Sequence, residues 1–156
     1  MRVLCAIGLQ GGAELMGRLQ SVLGPQHEIY LLHVIDTGPR RGLEELLNRP
    51  GPHPRPEKDV RIDAAEEAAG KTALEEARLE AEKLGFEVHI DLQRGQPEQL
   101  VIQLAHDWRC QLIAIRSSEG TQGRPHIGPA SVGHVARFVL DHAACDVLLL
   151  RSIGDL

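Results

Sequence analysis

An α/β fold built on an open, mainly parallel five-stranded sheet is what this chain predicts. Three observations point there. Several short segments are apolar throughout, as strands covered on both faces are. The stretches between them carry apolar residues at helical spacing. Gly8, Gly24-Pro25, Gly85 and Pro97 fall where one element would hand over to the next. Alternation of apolar strand and amphipathic helix is the mark of a parallel sheet with helices on both faces.

The elements follow in order. Val3–Ile7 is a continuous apolar run ended by Gly8 and reads as the first strand. Leu15, Met16, Leu19, Val22 and Leu23 recur at helical spacing until Gly24-Pro25 stops them. Ile29–Ile35 is the second strand, closed by Asp36. Residues 37–59 are rich in Pro, Gly and Arg, and the Gly51–Pro56 stretch fits neither a helix interior nor a central strand. They read as a surface excursion, in which Leu43, Leu46 and Leu47 suggest one or two helical turns. A long helix follows from Val60 to Leu84, with Ala73, Leu74, Ala77, Ala81 and Leu84 on one face and a Glu67/Lys71 pair on the other. Phe86, Val88, Ile90 and Leu92 alternate with polar residues, which predicts a half-exposed strand near a sheet edge. Arg94–Pro97 is expected to turn into a helix reaching Trp108, with Pro97 in its first turn. Leu112–Ile115 is the fourth strand, Val135, Phe138, Val139 and His142 mark the last helix, and Val147–Leu150 is the last strand. Five strands and four helices result. With order 3-2-1-4-5, the ends of strands one and four flank the switch-point crevice where such sheets bind ligands.

Composition narrows the function. The length, 156 residues, suits one domain spanning 1–156. Aromatics are 3% of the chain, so the core must be aliphatic and base-stacking platforms are not expected. A net charge of −5 argues against a general nucleic-acid binder. Cys5, Cys110 and Cys145 each lie in or beside an apolar run and read as reduced, buried thiols. No apolar stretch approaches the roughly 18 residues of a membrane span, and the first residues lack a secretory pattern. The expected location is the cytoplasm, with no nucleic-acid or membrane partner.

The densest chemical pattern is Gly120-x2-Gly123-x9-Gly133 followed by His134, between the fourth strand and the last helix. Glycines in that position bring bare backbone N–H groups close to a ligand, and the helix start adds partial positive charge. The combination suits a phosphate. Arg116 and Ser117, just before the glycines, offer further donors, a guanidinium being a good bidentate phosphate partner.

Together with the opening Arg2–Ile7, the second strand Leu31–Asp36 and the closing Val139–Arg151, this pattern resembles the universal stress protein family over nearly the whole chain, interrupted by the Pro-rich excursion. The resemblance implies a Rossmann-like sheet of the adenine nucleotide alpha hydrolase type. It also implies ATP or another adenine nucleotide as ligand, with magnesium only alongside the nucleotide. Carried over, Gly120, Gly123, Gly133 and His134 hold phosphates, and Ala6, Ile7 and Val34 hold the base. Gly8, Ile115 and Val135 complete the candidate site with Arg116 and Ser117. Family members usually dimerise through the last strand, here Val147–Leu150. That segment is also too apolar for a free edge. Three departures stand out. Gly8 occupies the place of an acid after strand one. His134 occupies the place of a Ser or Thr. Arg116–Glu119 precede Gly120 where the family's first motif glycine follows the strand at once. Either the loop carries an insertion, or Arg116 stands in for that glycine.

Other motifs have plain structural readings. Ala69-Gly-Lys-Thr72 looks like a P-loop tail, but lies mid-helix with Ala65 where the first glycine belongs. His33 and His142 read as hydrogen-bonded structural histidines, and His53 and His126 as solvated. No metal-ligand spacing occurs. Ser131 reads as an N-cap for the last helix and Asp36 as a solvated strand end. No catalytic residue is assignable, so turnover would be at most slow ATP hydrolysis. The expected protein is a cytoplasmic, nucleotide-responsive dimer acting in a stress response. One alternative is a family member that works by protein contacts without nucleotide. Another is a nucleotide hydrolase or ligase on the same sheet, with His134 and Asp36 as its acid–base candidates.

Overall fold

A computed structural model describes residues 1–38, 57–117 and 131–151. Its strands are β1 (Arg2–Ala6), β2 (Glu28–Asp36), β3 (Glu87–Gly95), β4 (Leu112–Arg116) and β5 (Asp146–Leu150). Its helices, among the described residues, are α1 (Gly12–Leu23), α2 (Glu57–Lys83), α3 (Pro97–Asp107) and α4 (His134–His142). The sheet runs β3-β2-β1-β4-β5, and every neighbouring pair is parallel. This is the expected order and number of strands.

Strand parity divides the core in two. Val3, Cys5 and Leu31 point to one face, where Leu15, Met16 and Leu19 of α1 and Leu74, Ala77 and Ala81 of α2 cover them. Leu4, Leu32, Ile113 and Ile115 point to the other, against Val101 and Ala105 of α3 and Ala136 and Val139 of α4. Central strands buried on both sides must be apolar at every position, which is why β1 and β4 read so clearly in sequence. Val22, expected on the packed face of α1, is 59% exposed.

The boundaries bring corrections. Residues 57–59 belong to α2 rather than to the excursion, and residues 39–56, including Leu43, Leu46, Leu47 and His53, lie outside the described residues. β3 does not turn at Arg94: Arg94 and Gly95 pair with Ile35 and Asp36, and the Thr37 N–H donates to the Gly95 carbonyl at 3.1 Å. β2 runs on to Asp36, and its free carbonyls and amides carry β3 along with it. As expected, β3 is an edge strand, and its Ile90 is 46% exposed.

Gly70, the glycine of the P-loop look-alike, is a packing residue. A Cβ placed on it would stand 2.7 Å from Cδ2 of His33 and 2.9 Å from Cδ1 of Leu92. Helix α2 crosses the sheet there, and only the absence of a side chain permits the approach. Lys71 faces outward and pairs with Glu67 at 2.9 Å, and that contact holds the Glu67 carboxyl below its usual range.

The three cysteines are free thiols. Burial pushes the Cys5 thiol far up, with Cys110 adding to the effect. Cys110 and Cys145, far apart in the chain, meet with their sulfurs 3.7 Å apart.

Candidate functional site

At the carboxyl ends of β1 and β4 lies a cleft of about 450 Å³. Its position follows from the topology, because the crossovers from β1 and β4 leave on opposite faces of the sheet and part there. Ala6 and Ile7 end β1 at its floor, Leu32 and Val34 reach it from β2, and Ile115 reaches it from β4. Val101 of α3 and Val135 of α4 close one wall, and Gln10, Gly11, Gly12 and Leu15 form the other. The lining is predominantly aliphatic. Its polar equipment is Arg116, Ser117, His33 and the backbone of the Gly8–Gly12 turn.

The His33 ring is 7% exposed, and its Nδ1 lies 2.7 Å from the carbonyl oxygen of Ile7. A carbonyl only accepts, so Nδ1 carries the proton and donates it. The ring therefore ties β2 to the residue just before Gly8, and the structural reading of His33 stands. His142 behaves alike, with Nδ1 2.8 Å from the Phe138 carbonyl oxygen and its ring stacked on Phe138.

Arg116 lies across the first turn of α1. Its Nη1 approaches the Gln10 carbonyl at 3.5 Å, and its Nη2 is 3.7 Å from Glu14 Oε2. The guanidinium rests against Gly11, whose φ of 77° is in the left-handed region that favours glycine. Gly12 packs under the same turn, where a Cβ would stand 3.0 Å from that of Ala77. Gly8 is different: among the described residues, a Cβ there would meet the Gln10 carbonyl oxygen alone, at 3.9 Å. Ser117 is buried, and its N–H donates to the Leu150 carbonyl at 2.9 Å, extending the pairing of β4 with β5.

The structure thus brings Ala6, Ile7, Gly8, Val34, Ile115, Arg116, Ser117 and Val135 to one cleft. It does not bring His134 there. That side chain is 81% exposed on the first turn of α4, with Nε2 3.8 Å from Glu98 Oε1. Gly133 begins α4 with φ 85°, a conformation that calls for glycine whatever is bound. Gly120, Gly123 and His126 lie outside the described residues. Ser131 is not the N-cap expected of it: α4 has no side-chain cap, and the Ser131 hydroxyl instead accepts from Arg151 Nη1 at 3.0 Å. Asp36 turns back on its own chain, accepting from the Gly38 N–H at 2.8 Å, an Asx turn.

Gln10, Gly11, Gly12, Leu15, Leu32, His33, Pro97 and Val101 also line the cleft and were not among the candidates read from sequence. The adjacent Gly11-Gly12 pair was the available sign. The spacing of Gly8, Gly11 and Gly12 fits no dinucleotide fingerprint, but a tight turn against a neighbouring side chain needs none.

Comparison with known proteins places this geometry in context. The sequence profile of the Universal stress protein family matches residues 1–151. The chain is 26% identical to universal stress protein MJ0531 of Methanocaldococcus jannaschii over 125 residues, covering 80% of this chain and 65% of that protein. It is 32% identical to universal stress protein E of Escherichia coli K12 over 60 residues, covering 38% of this chain and 18% of that protein. The chain thus spans less than two thirds of the curated relatives it matches. Among solved structures, hypothetical protein MJ0577 superposes with a TM-score of 0.70 at 22% identity, over 99% of this chain and 97% of its own. An Arabidopsis thaliana family protein with AMP bound gives 0.65 at 16% identity, over 99% and 93%. The Archaeoglobus fulgidus universal stress protein in complex with dAMP gives 0.57 at 17% identity, over 96% of each chain.

Proposed function

Because the chain belongs to the universal stress protein family, we propose that its cleft takes an adenine nucleotide and that the protein acts by binding, as a regulator in a stress response. The observation that carries this reading is the cleft itself: an aliphatic slot beyond the ends of β1 and β4 with a guanidinium at its rim. An adenine ring is flat and largely apolar on its faces, and Ala6, Ile7, Val34 and Ile115 suit it. A phosphate is recognised by paired N–H donors, which Arg116 supplies. The Glu14 carboxylate, itself exposed, stands 3.7 Å from the Arg116 guanidinium, a long contact that an incoming phosphate replaces with charge-assisted hydrogen bonds. Gly120, Gly123 and Gly133 supply backbone N–H groups, as the family motif implies. The relatives solved with AMP and dAMP support an adenine mononucleotide in this reading. ATP with magnesium is its extended form.

Among the described residues, the cleft offers no carboxylate as a catalytic base. His33 is the imidazole among its described lining residues; its Nδ1–H donates to the Ile7 carbonyl, and its Cδ2–Nε2 edge, which carries the nitrogen left to act as a base, packs against Gly70 of α2. Binding, with slow hydrolysis at most, is the activity this chemistry supports. We further infer a cytoplasmic homodimer built on the outer edge of β5, whose Val147, Leu148 and Leu149 are half-buried in the single chain. Sedimentation tests the dimer, and a monomer at all concentrations would overturn it.

Titration calorimetry with AMP, ADP, cyclic AMP and magnesium–ATP tests the ligand. At least one should bind with micromolar affinity. Gly8→Phe should fold normally, since residue 8 has open space, and should lose binding at least tenfold by filling the cleft. Absence of binding by every nucleotide, or full binding by Gly8→Phe, would overturn the proposal and leave protein contacts as the working activity.

A further inference from the structure

At the end of the sheet opposite the cleft, Cys110 leads into β4 and Cys145 into β5. Their sulfurs are in van der Waals contact at 3.7 Å. Cys110 is buried, closing the corner after α3 with its N–H on the Ala105 carbonyl at 2.9 Å. Cys145 is half-exposed, just beyond the end of α4. Both belong to the cluster that holds Trp108. We propose that this pair is a redox modification site: hydrogen peroxide converts Cys110 and Cys145 to an intramolecular disulfide that joins the α3–β4 corner to the α4–β5 corner.

The two thiols divide the chemistry by exposure. Cys145 is the one a peroxide reaches. Its thiolate sulfur attacks one peroxide oxygen, the O–O bond breaks, and the departing hydroxide takes up a proton to leave as water. Cys145 is then a sulfenic acid, oxidised by two electrons, and the peroxide has been reduced. Burial first, and then the neighbouring Cys145, push the Cys110 thiol up to about 12. Cys110 therefore stays protonated until the sulfenic sulfur stands beside it. It then attacks that sulfur, the S–O bond breaks, and the Cys110 proton leaves with the hydroxyl as a second water. Closing the bond requires the sulfurs to approach by about 1.7 Å, from contact distance to a disulfide bond length. Cys5 takes no part, being fully buried on the opposite face of the sheet. The site is independent of what the cleft binds.

The test uses the full chain treated with hydrogen peroxide, quenched with catalase and unfolded for thiol counting. The three thiols of the chain should fall to one, with a mass loss of two hydrogens and a cross-linked peptide pair holding Cys110 and Cys145. Fluorescence of Trp108, the single tryptophan, should change in step and return with dithiothreitol. Cys110→Ser should stop at the sulfenic acid on Cys145, captured by dimedone. Cys145→Ser, at the half-exposed and more tolerant position, should keep both remaining thiols under the same treatment. Three thiols surviving in the wild-type chain would overturn the proposal. So would a cross-link between chains or through Cys5, or oxidation of Cys145 beyond sulfenic acid with Cys110 still free.

Discussion

The guanidinium of Arg116 occupies the space where a side chain at Gly11 would begin: a Cβ built there stands 1.5 Å from Nη1 and 2.8 Å from Cζ. Residue 11 is thereby restricted twice, by its left-handed backbone and by its neighbour. Gly11→Ala should destabilise the protein by about 2 kcal/mol, roughly half from the backbone and half from displacing Arg116. In an Arg116→Ala background the same change should cost about 1 kcal/mol, because only the backbone strain is left. Urea unfolding of the four proteins gives the coupling, and additivity would show that the contact is incidental.

Gly70→Ala sets two effects against each other. Alanine is better than glycine in a helix interior by about 1 kcal/mol. The added methyl would meet the His33 ring, which cannot yield without giving up its bond to the Ile7 carbonyl. Overpacking of this kind costs about 1–3 kcal/mol. The net effect should be a lower thermal midpoint, and a higher one would mean that α2 lifts off the sheet easily.

Gly8 is where the resemblance to the family's ATP binders expects an acid, and the residue has room for one. Gly8→Asp should fold normally and place a carboxylate by the cleft, within reach of ribose hydroxyls. One charged hydrogen bond is worth enough to tighten nucleotide binding about tenfold. Calorimetry with AMP checks this, and unchanged or weaker binding would show that the ribose lies elsewhere.

Stability should fall at alkaline pH. Cys5 has its thiol raised by burial and then by Cys110, while in the unfolded chain it ionises near about 8.5. Above that pH the unfolded state has lost a proton that the folded state keeps, so stability is full below about 8.5 and declines as pH rises. Urea unfolding from pH 7 to 10.5 should show the decline. Cys5→Ala should reduce its slope by about one proton, roughly 1.4 kcal/mol per pH unit. An unaltered slope would assign the alkaline limb to other groups.

The central strands were legible because burial on both faces leaves no choice of residue: every position from Val3 to Ile7 and from Leu112 to Ile115 is apolar. What escaped was decided by neighbours rather than by local composition. Arg94 and Gly95 are turn-like residues, yet β2 holds them in the sheet. The start of α2 at Glu57 was hidden by the prolines that precede it. In the cleft, the β1 and β4 residues could be named because strand ends in this topology converge there. Whether Arg116 faced α1 or α3 depended on strand parity and register. His134 was placed by a motif position; its ring is exposed, with Nε2 3.8 Å from Glu98, and does not line the cleft among the described residues. The Cys110–Cys145 contact joins two corners 35 residues apart, a proximity that no local pattern encodes.

The hydrogen bond from His33 to Ile7 has a consequence for how the cavity responds to a guest. Its base is fastened across two central strands by a 2.7 Å hydrogen bond, whereas at the entrance Arg116 and Glu14 stand 3.7 Å apart. For the proposed nucleotide, selection would then divide spatially, the fastened base choosing the ring and the Arg116 entrance the charge.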